Sequence, residues 1–471
     1  MLRIPVKSRA SRATSAWVEV DLGAIAHNVR VWRSALPETS RLLAVVKSDG
    51  YGHGMLRVAR TALHAGADEL VVASVLEGAA LRAAGITAPI LIAGPVGPDE
   101  VDSVVQHGLV ASLGSLELAL ALSRATRRYL PVNIEVDTGM TRHGVAPAEL
   151  ASFVHTLEDR GRLAIAGVFS HFSGLGCHDE PLMRRQFELF SNAVASVPSL
   201  RGVRRHICNS LGAMLLPDAC LDAVRIGGGM YGFDPRRKPC GALAAMGTGA
   251  DKLPPSIVAG SLLPALELKA NVVGLRDAEV GDHVGYGGSF TCQRKTRLAL
   301  LPIGYGDGLS RELWRGADVL VRGRRAPIVG EISMNQTVVD VTDLPQIVFG
   351  EEVTLIGAMG DQRIWVEERV PAGGCAYEVT SLLQARLPRL YGPANEPEGA
   401  REGRVHAPEV GESSRRRESE RQAVASQAAR NPEARNPEAR NQAARNQAAS
   451  NQAARNQAAR NQAASNQAHS S

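Results

Sequence analysis

The chain of 471 residues has few of the features that mark metal sites, secreted scaffolds or membrane segments. Its six cysteines form no CxxC pair and show no metal-ligand spacing, so we expect small buried thiols in a reducing compartment. The apolar runs are strand-length, whereas a membrane span needs about 18 apolar residues. Aromatic residues make up only 4% and hydrophobic residues 44%, which predicts the aliphatic core of an α/β enzyme.

The charge distribution gives no reason to expect a nucleic-acid partner. The formal net charge is +5, but the arginines are concentrated at the two ends of the chain. The first sixteen residues are basic and serine-rich, and they lack the apolar segment of a secretion signal. We therefore predict a cytoplasmic enzyme that acts on a small molecule, preceded by a flexible basic segment at residues 1–16.

From Arg41 onward, short apolar runs alternate with amphipathic segments of helical period. This alternation predicts a parallel (β/α)₈ barrel within residues 17–255, with a short N-terminal segment joining the following domain. An open doubly wound sheet is the alternative architecture. The eight predicted strands are 42–46, 70–73, 90–93, 110–113, 132–136, 165–169, 206–209 and 223–226.

Residues 256–392 differ from the preceding part. Strand-length runs separated by Gly, Pro and Asp predict a mainly β domain with one helix around 376–385. After Glu398, apolar residues other than alanine nearly vanish, and from Asn431 a five-residue unit, Asn-Gln-Ala-Ala-Arg, repeats with variants. In a helix this period would rotate each copy by about 140°, so no buriable face could form. Residues 393–471 are therefore predicted to be a disordered tail without catalytic residues.

Lys47 is the first candidate catalytic residue. It follows the apolar run 42–46 and precedes the turn Ser-Asp-Gly-Tyr-Gly-His-Gly at 48–54. A lysine at the polar end of a buried strand has a partly desolvated amine, which lowers its pKa and lets it form a Schiff base with an aldehyde cofactor. The glycines allow a sharp turn, and Tyr51 is close enough in sequence to meet the same ligand.

The last two predicted barrel strands end in groups suited to an anion. Ser210 follows the seventh strand, and three glycines, 227–229, follow Arg225 at the end of the eighth. A serine hydroxyl and the amides of a glycine run can donate hydrogen bonds to phosphate, which barrel enzymes hold on these loops. A glycine run alone also fits an ordinary turn, but Lys47 on the first strand favours a phosphate site.

These segments resemble the alanine racemases, a family of pyridoxal-phosphate enzymes built on a barrel. The resemblance covers about Trp17 to Tyr391, with motifs at 47–54, 136–144, 169–172 and 284–288 in the expected order. It implies a homodimer that binds pyridoxal 5′-phosphate and interconverts L- and D-alanine, which supplies D-alanine for peptidoglycan. The resemblance implies neither a membrane nor a nucleic-acid partner.

The resemblance also implies a role for each matching residue. Lys47 carries the cofactor and acts as one base, and Tyr286 of the partner subunit acts as the base on the opposite face of Cα. Arg225 faces the ring nitrogen and leaves it unprotonated, because a guanidinium does not readily release its proton; this limits transamination. The other implied cofactor contacts are Tyr51, His171, Asn209, Ser210, Gly227, Gly228 and Tyr377, and the implied substrate contacts are Arg142, Tyr305 and Met334.

Two positions depart from the family pattern. Glu135 stands where many members have a carbamylated lysine, and Asn335 stands where an aspartate is usual. We expect Glu135 to supply directly the anionic partner of Arg142. The alternative is that Glu135 meets a partner on the barrel wall and never contacts Arg142.

Three other functions remain open from the sequence. A racemase of another small amino acid, such as serine, would use the same motifs. A decarboxylase on the same barrel favours an acidic partner for the ring nitrogen, where this chain has Arg225. A non-catalytic pyridoxal-phosphate regulator would be a single barrel, without the β domain that carries Tyr286.

Overall fold

The computed structural model describes residues 15–174, 179–233, 261–371 and 374–392. Most of the predicted basic N-terminal segment, the junction around 234–260 and the repeat-containing tail from 393 lie outside these residues, as do Cys177 and Cys240. The described residues form a near-closed parallel barrel with helices and a mainly β region.

Strand β1 (Ala16–Asp21) precedes the barrel and leads directly into helix α1 (Leu22–Ala35). The carboxylate of Asp21 accepts the N–H of Ala24 at 2.9 Å, which caps the helix. Eight parallel strands then follow in one sheet: β2 (Arg41–Val45), β3 (Glu69–Val72), β4 (Ile90–Ile92), β5 (Val110–Leu113), β6 (Leu130–Glu135), β7 (Leu163–Phe169), β8 (Arg204–His206) and β9 (Ala223–Ile226).

The sheet curls into a barrel because its first strand pairs with its last. β2 pairs in parallel with β9 as well as with β3. Backbone hydrogen bonds from Asp222 to Arg205 (3.1 Å) and from Arg225 to Cys208 (3.0 Å) connect the segments around β8 and β9. The predicted barrel is thereby confirmed, and the open doubly wound sheet is excluded.

Strand β2 shows why the barrel strands are apolar throughout. Leu43 packs inside the barrel with Val71 and Leu91, whereas Leu42 and Ala44 point outward into the core shared with the helices. A parallel strand covered on both faces needs apolar residues at every position. The surrounding helical segments are α2 (Lys47–Tyr51), α3 (Met55–His64), α4 (Val75–Ala83), α5 (Val101–His107), α6 (Leu116–Ala125), α7 (Leu150–Arg160), α8 (Glu180–Ala195) and α9 (Ser210–Leu215).

The C-terminal region is mainly β, as predicted. Its elements are β10 (Leu266–Asn271), β11 (Gly274–Ala278), β12 (His283–Val284), β13 (Phe290–Thr291), β14 (Thr296–Leu301), β15 (Asp318–Val321), β16 (Arg324–Pro327), β17 (Thr337–Asp340), β18 (Glu352–Met359), β19 (Gln362–Ile364), α10 (Ala376–Ser381) and β20 (Arg389–Gly392). β1 lies in the largest of these sheets, antiparallel to β10 and parallel to β20. Among the residues that the structure describes, no helix combines the length and the apolar character needed to cross a bilayer.

Candidate active site

Lys47 lies at the carboxyl end of β2, where the chain leaves the barrel through a left-handed turn. All four residues 48–51 have positive φ, between 52° and 62°. Three of them carry side chains, and each such residue costs roughly 1–2 kcal/mol in this conformation. The Asp49 carboxylate partly offsets the strain, because it accepts the N–H of Met55 at 2.9 Å.

The surroundings of Lys47 favour its neutral amine. Burial lowers the pKa of Lys47, and the guanidinium groups of Arg142 and Arg225 lower it further, whereas the carboxylate of Glu77 acts in the opposite direction. A lowered pKa raises the fraction of amine that can attack a carbonyl or take up a proton near neutral pH.

Arg225 on β9 is only 4% exposed, and its guanidinium is enclosed by acceptors. It donates to Nδ1 of His206 (2.5 Å), to the carbonyls of Ser170 (2.7 Å) and Ile207 (3.1 Å), and to Nδ1 of His171 (3.1 Å). Burial lowers the pKa of Arg225 to about 10, so it remains a cation at neutral pH. Burial and Arg225 lower the pKa of His171 to about 3, so this histidine is a neutral acceptor.

His206 is a site residue that the sequence interpretation missed. Its buried ring stacks on Phe169 with centroids 4.9 Å apart and an interplanar angle of 5°. Because the guanidinium of Arg225 can only donate, Nδ1 of His206 carries the lone pair and Nε2 carries the proton. The Asn133 amide group lies 3.2 Å from Nε2 and must present its oxygen there to accept this proton. Burial holds the pKa of His206 well below its usual value. The available signal was a histidine within a predicted buried strand.

Ser210 and the glycine turn after β9 form a cradle. Asn209 caps α9 by accepting the N–H of Gly212 at 2.8 Å, and this fixes Ser210 at the first helical position. The Ser210 hydroxyl oxygen accepts the N–H groups of Gly227 (3.2 Å) and Gly229 (3.1 Å). With both acceptor positions occupied, the hydroxyl proton is left to be donated to a further group, as an anion requires.

Two tyrosines border this cradle. The rings of Tyr51 and Tyr377 meet edge to face, with centroids 5.8 Å apart. A Cβ on Gly227 would lie 2.8 Å from the Tyr51 hydroxyl, and one on Gly228 would lie 2.6 Å from the Tyr377 ring, so a side chain at either position would displace a tyrosine. Burial raises the pKa of Tyr51 to about 12, which keeps its phenol protonated and able to donate.

Glu135, at the end of β6, pairs with His143 instead of Arg142. Its buried carboxylate accepts a hydrogen bond from Nδ1 of His143 at 2.8 Å, and no ion pair in the described residues joins it to Arg142. The expected direct contact with Arg142 is therefore wrong. The reason lies in the loop: the N–H of Val145 bonds back to the Glu135 carbonyl at 2.8 Å, which brings His143 over the carboxylate and leaves Arg142 exposed.

The Glu135–His143 pair leads to a pH-dependent prediction. The hydrogen bond to Glu135 raises the pKa of His143 above its usual value. The contribution of the pair to the free energy of unfolding is therefore complete below the usual histidine pKa and is lost as pH rises through the raised pKa. Glu135→Gln should lower the His143 pKa in an NMR titration. The variant should also lower the Tm more at pH 6 than at pH 8. An unchanged His143 titration would contradict the pairing.

Tyr286, Tyr305 and Met334 lie on loops of the β region and are exposed by 69%, 41% and 56%. Two backbone hydrogen bonds join the last two loops, from Tyr305 to Ser333 (3.1 Å) and from Gly306 to Met334 (2.7 Å). No hydrogen bond or ring contact in the described part of the chain joins Tyr286 to Lys47. One chain therefore brings together the barrel residues of the predicted site but not its β-region residues.

The structure also accounts for Asn335. Its amide donates to the buried carboxylate of Asp307 at 3.3 Å. The same carboxylate accepts the N–H of Gly304 at 2.9 Å and Nε of Arg386 at 2.8 Å. An aspartate at position 335 would place a second negative charge against Asp307, whereas the amide supplies a donor. Asn335 thus helps to hold the loop that carries Tyr305.

Family comparisons account for both parts of the fold. A family model described as the alanine racemase N-terminal domain matches residues 20–235, and one described as the alanine racemase C-terminal domain matches residues 265–391. The chain belongs to the alanine racemase family. This family depends on pyridoxal 5′-phosphate, so the cofactor follows from the assignment.

Individual relatives agree with this assignment. The alanine racemase of Symbiobacterium thermophilum is 39% identical over 383 residues, which cover 80% of this chain and 97% of that protein. The alanine racemase of Desulfovibrio desulfuricans is 39% identical over 381 residues, with coverage of 80% and 97%. Among solved structures, alanine racemase from Bacillus anthracis with bound L-Ala-P has a TM-score of 0.72 at 31% identity and covers 81% of this chain and 96% of that one.

The residues of this alanine racemase chain fit pyridoxal 5′-phosphate. The cradle offers the Ser210 hydroxyl and a turn without side chains, and Tyr51 and Tyr377 border it. Neutral hydroxyl donors commonly bind a phosphate, and the N–H groups of Gly227 and Gly229 support the Ser210 hydroxyl, to which they already donate. The half-buried amine of Lys47 and the cationic Arg225 lie at the same end of the barrel, where the amine can meet the cofactor's aldehyde and the guanidinium its ring nitrogen.

Proposed function

We propose that this chain interconverts L- and D-alanine by removing the Cα proton from one face and returning a proton to the other. The observation that carries the proposal is the position of Lys47, half-buried at the end of β2 and close enough to the exposed Arg142 and the buried Arg225 for both to lower its pKa. Bound pyridoxal 5′-phosphate would withdraw electrons from Cα and make its proton acidic. The protein's own residues determine where that proton goes.

Lys47 is proposed to hold the cofactor and to serve as one base. Its lowered pKa supports both roles, because each needs a neutral amine near physiological pH. Arg142, exposed at the mouth of the barrel, is proposed to bind the substrate carboxylate with its planar fork. The phosphate would lie against Ser210, Tyr51, Tyr377 and the glycine turn.

Arg225 is proposed to set the reaction outcome. Its hydrogen bonds to His206, His171 and two carbonyl oxygens hold the guanidinium in place. Because the guanidinium stays protonated and can only donate, a ring nitrogen that faces it would remain unprotonated. That weakens the cofactor as an electron sink and favours return of the proton to Cα over transamination.

Arg225→Glu is expected to slow racemisation by about two orders of magnitude and to raise the ratio of pyruvate to D-alanine formed. The carboxylate would lie against the carbonyl oxygens of Ser170 and Ile207. It would accept a hydrogen bond from a protonated ring nitrogen and so raise the basicity of that nitrogen. Both products can be quantified by chromatography from one reaction with L-alanine. Arg225→Lys, which keeps the charge but loses the fork, serves as the control and should keep the wild-type ratio. An unchanged ratio in Arg225→Glu would contradict the proposed role.

The second base is proposed to come from a partner copy of the chain. Tyr286 lies on an exposed β-hairpin between β12 and β13, and the charged groups that act on Lys47 all belong to the barrel. A two-fold dimer would place Tyr286 of one subunit opposite Lys47 of the other, because an isologous interface exchanges the same surface in both directions. Tyr305 and Met334 would enter the partner's site with it.

The product is proposed to serve as D-alanine for peptidoglycan, made in the cytoplasm. No disulfide joins the described cysteines, among them the buried Cys208 and Cys220, which fits a reducing compartment. The proposal is tested by incubating the purified enzyme separately with L-alanine and L-serine and separating the enantiomers by chiral chromatography. D-alanine should form much faster than D-serine. Faster D-serine formation would favour the serine racemase, and no D-amino acid would favour a non-catalytic regulator.

A further inference from the structure

Glu77 bridges two loops at the catalytic end of the barrel. It lies in the first turn of α4, whose cap Ser74 accepts the Glu77 N–H at 3.3 Å. A glutamate at this helical position commonly bonds back to the N–H of the capping residue. Here its carboxylate extends further: Oε2 accepts the N–H of Ala73 at 2.8 Å, and Oε1 accepts the N–H of Ser48 at 2.6 Å.

Ser48, which donates to Glu77, is the first residue of the strained turn 48–51. Residues 48–51 have positive φ, and three of the four have side chains that disfavour it. Such backbone persists only where surrounding contacts hold it. The turn fixes both the direction in which Lys47 leaves the strand and the position of Tyr51, so a contact at Ser48 acts on both residues.

Glu77 is also the one negative charge that acts on the Lys47 amine among the groups that shift its titration. Arg142, on the loop after β6, and Arg225, on β9, act in the opposite direction, together with burial. His171, after β7, feels the Lys47 charge but is itself neutral near physiological pH. Without Glu77, the charged groups that still shift the Lys47 pKa would be the two guanidinium groups of Arg142 and Arg225.

We propose that Glu77 is a positioning residue that fixes the turn after Lys47 and balances the positive charge around the Lys47 amine. This inference rests on the proposed role of Lys47 as the cofactor lysine. It assigns Glu77 a part in the site, in addition to its place in the first turn of α4.

Glu77→Gln tests the inference in the full-length holoenzyme. The glutamine amide has no charge and can accept only one of the two N–H groups, those of Ser48 and Ala73, that the Glu77 carboxylate accepts. Its NH₂ group would face the other N–H. We expect the pH midpoint of the bound cofactor's visible absorbance to fall by about half a unit to one unit. Release of pyridoxal 5′-phosphate on dialysis should become about tenfold faster. The value of kcat should fall more than KM rises, because Arg142 is untouched.

Two variants serve as controls. Glu117→Gln changes a fully exposed carboxylate in the first turn of α6 and should leave the midpoint and cofactor release unchanged. Glu77→Asp keeps the charge but has a shorter side chain. Its pH midpoint should therefore lie close to that of the wild type, whereas its release of the cofactor should be intermediate between the wild type and Glu77→Gln. Thermal melting of each variant measures any loss of helix capping.

The outcomes separate the inference from the function on which it rests. If Glu77→Gln melts at a lower temperature but keeps the wild-type midpoint and cofactor release, Glu77 merely caps the helix and the inference is wrong. Borohydride reduction and peptide mapping of the wild type test Lys47 independently. A cofactor attached elsewhere would overturn the proposed function together with the inference, whereas attachment at Lys47 with an unaltered Glu77→Gln would overturn the inference alone.

Discussion

Replacing Lys47 with alanine is expected to abolish racemisation in both directions and to remove the site at which the cofactor is attached. The lysine is half-buried at the end of β2, and its pKa is lowered by burial and by Arg142 and Arg225. Alanine supplies neither a nucleophile nor a base, so a loss of at least about a thousandfold is expected. The assay measures D-alanine from L-alanine and the reverse, together with the visible absorbance of the bound cofactor.

Lys295→Ala is the matched control for this prediction. Lys295 is 70% exposed and pairs with Glu279 on the surface of the β region, so its loss should leave activity unchanged. Borohydride reduction of the wild type followed by peptide mapping identifies the attached lysine directly. A modified peptide that contains any lysine other than Lys47 would contradict the assignment.

Tyr286→Phe is expected to lower kcat by about two to four orders of magnitude with little change in Tm. The large loss follows from removing one of two acid/base groups. The small change in stability follows from the exposure of Tyr286, which is 69%, so its hydroxyl supports no buried contact among the described residues. Tyr129→Phe, which changes a tyrosine that is 76% exposed on the barrel, is the control and should retain activity.

Subunit mixing tests where Tyr286 acts. If the tyrosine works on the partner's site, a dimer of one Lys47→Ala subunit and one Tyr286→Phe subunit has one site with both wild-type groups. Random exchange makes half of the dimers mixed, so about a quarter of wild-type activity should return. No recovery, in a sample in which mass spectrometry shows exchanged dimers, would mean that each site is built within one chain.

The fold was largely predictable because the barrel strands are buried on both faces. An apolar run such as 42–46 therefore corresponds to β2 within one residue at each end. The seventh strand was displaced: the predicted 206–209 lies at Arg204–His206 in the structure. The strand begins with two arginines, Arg204 and Arg205, which an apolar pattern does not include. The apolar residues Ile207 and Cys208 were included because they are buried, although they lie after the end of the strand.

The sequence predicts site residues that belong to a local motif. It does not predict contacts between side chains that only the tertiary fold brings together. Lys47 and Arg225 stand at strand ends, which a sequence pattern reveals. The contact of Glu135 with His143 depends on a loop that folds back through Val145, and no spacing rule indicates it. The contact of Glu77 with Ser48 joins two loops that are adjacent only because β2 and β3 pair.

The most direct test of the central claim is incubation of the enzyme with L-alanine in deuterated water, followed by chiral separation and NMR of both enantiomers. Two bases on opposite faces predict that newly formed D-alanine carries deuterium at Cα, because its proton comes from a group that exchanges with solvent. Deuterium would enter the remaining L-alanine mainly through the reverse reaction. Deuterated L-alanine without any D-alanine, or D-alanine that retains its original Cα proton throughout, would contradict the account.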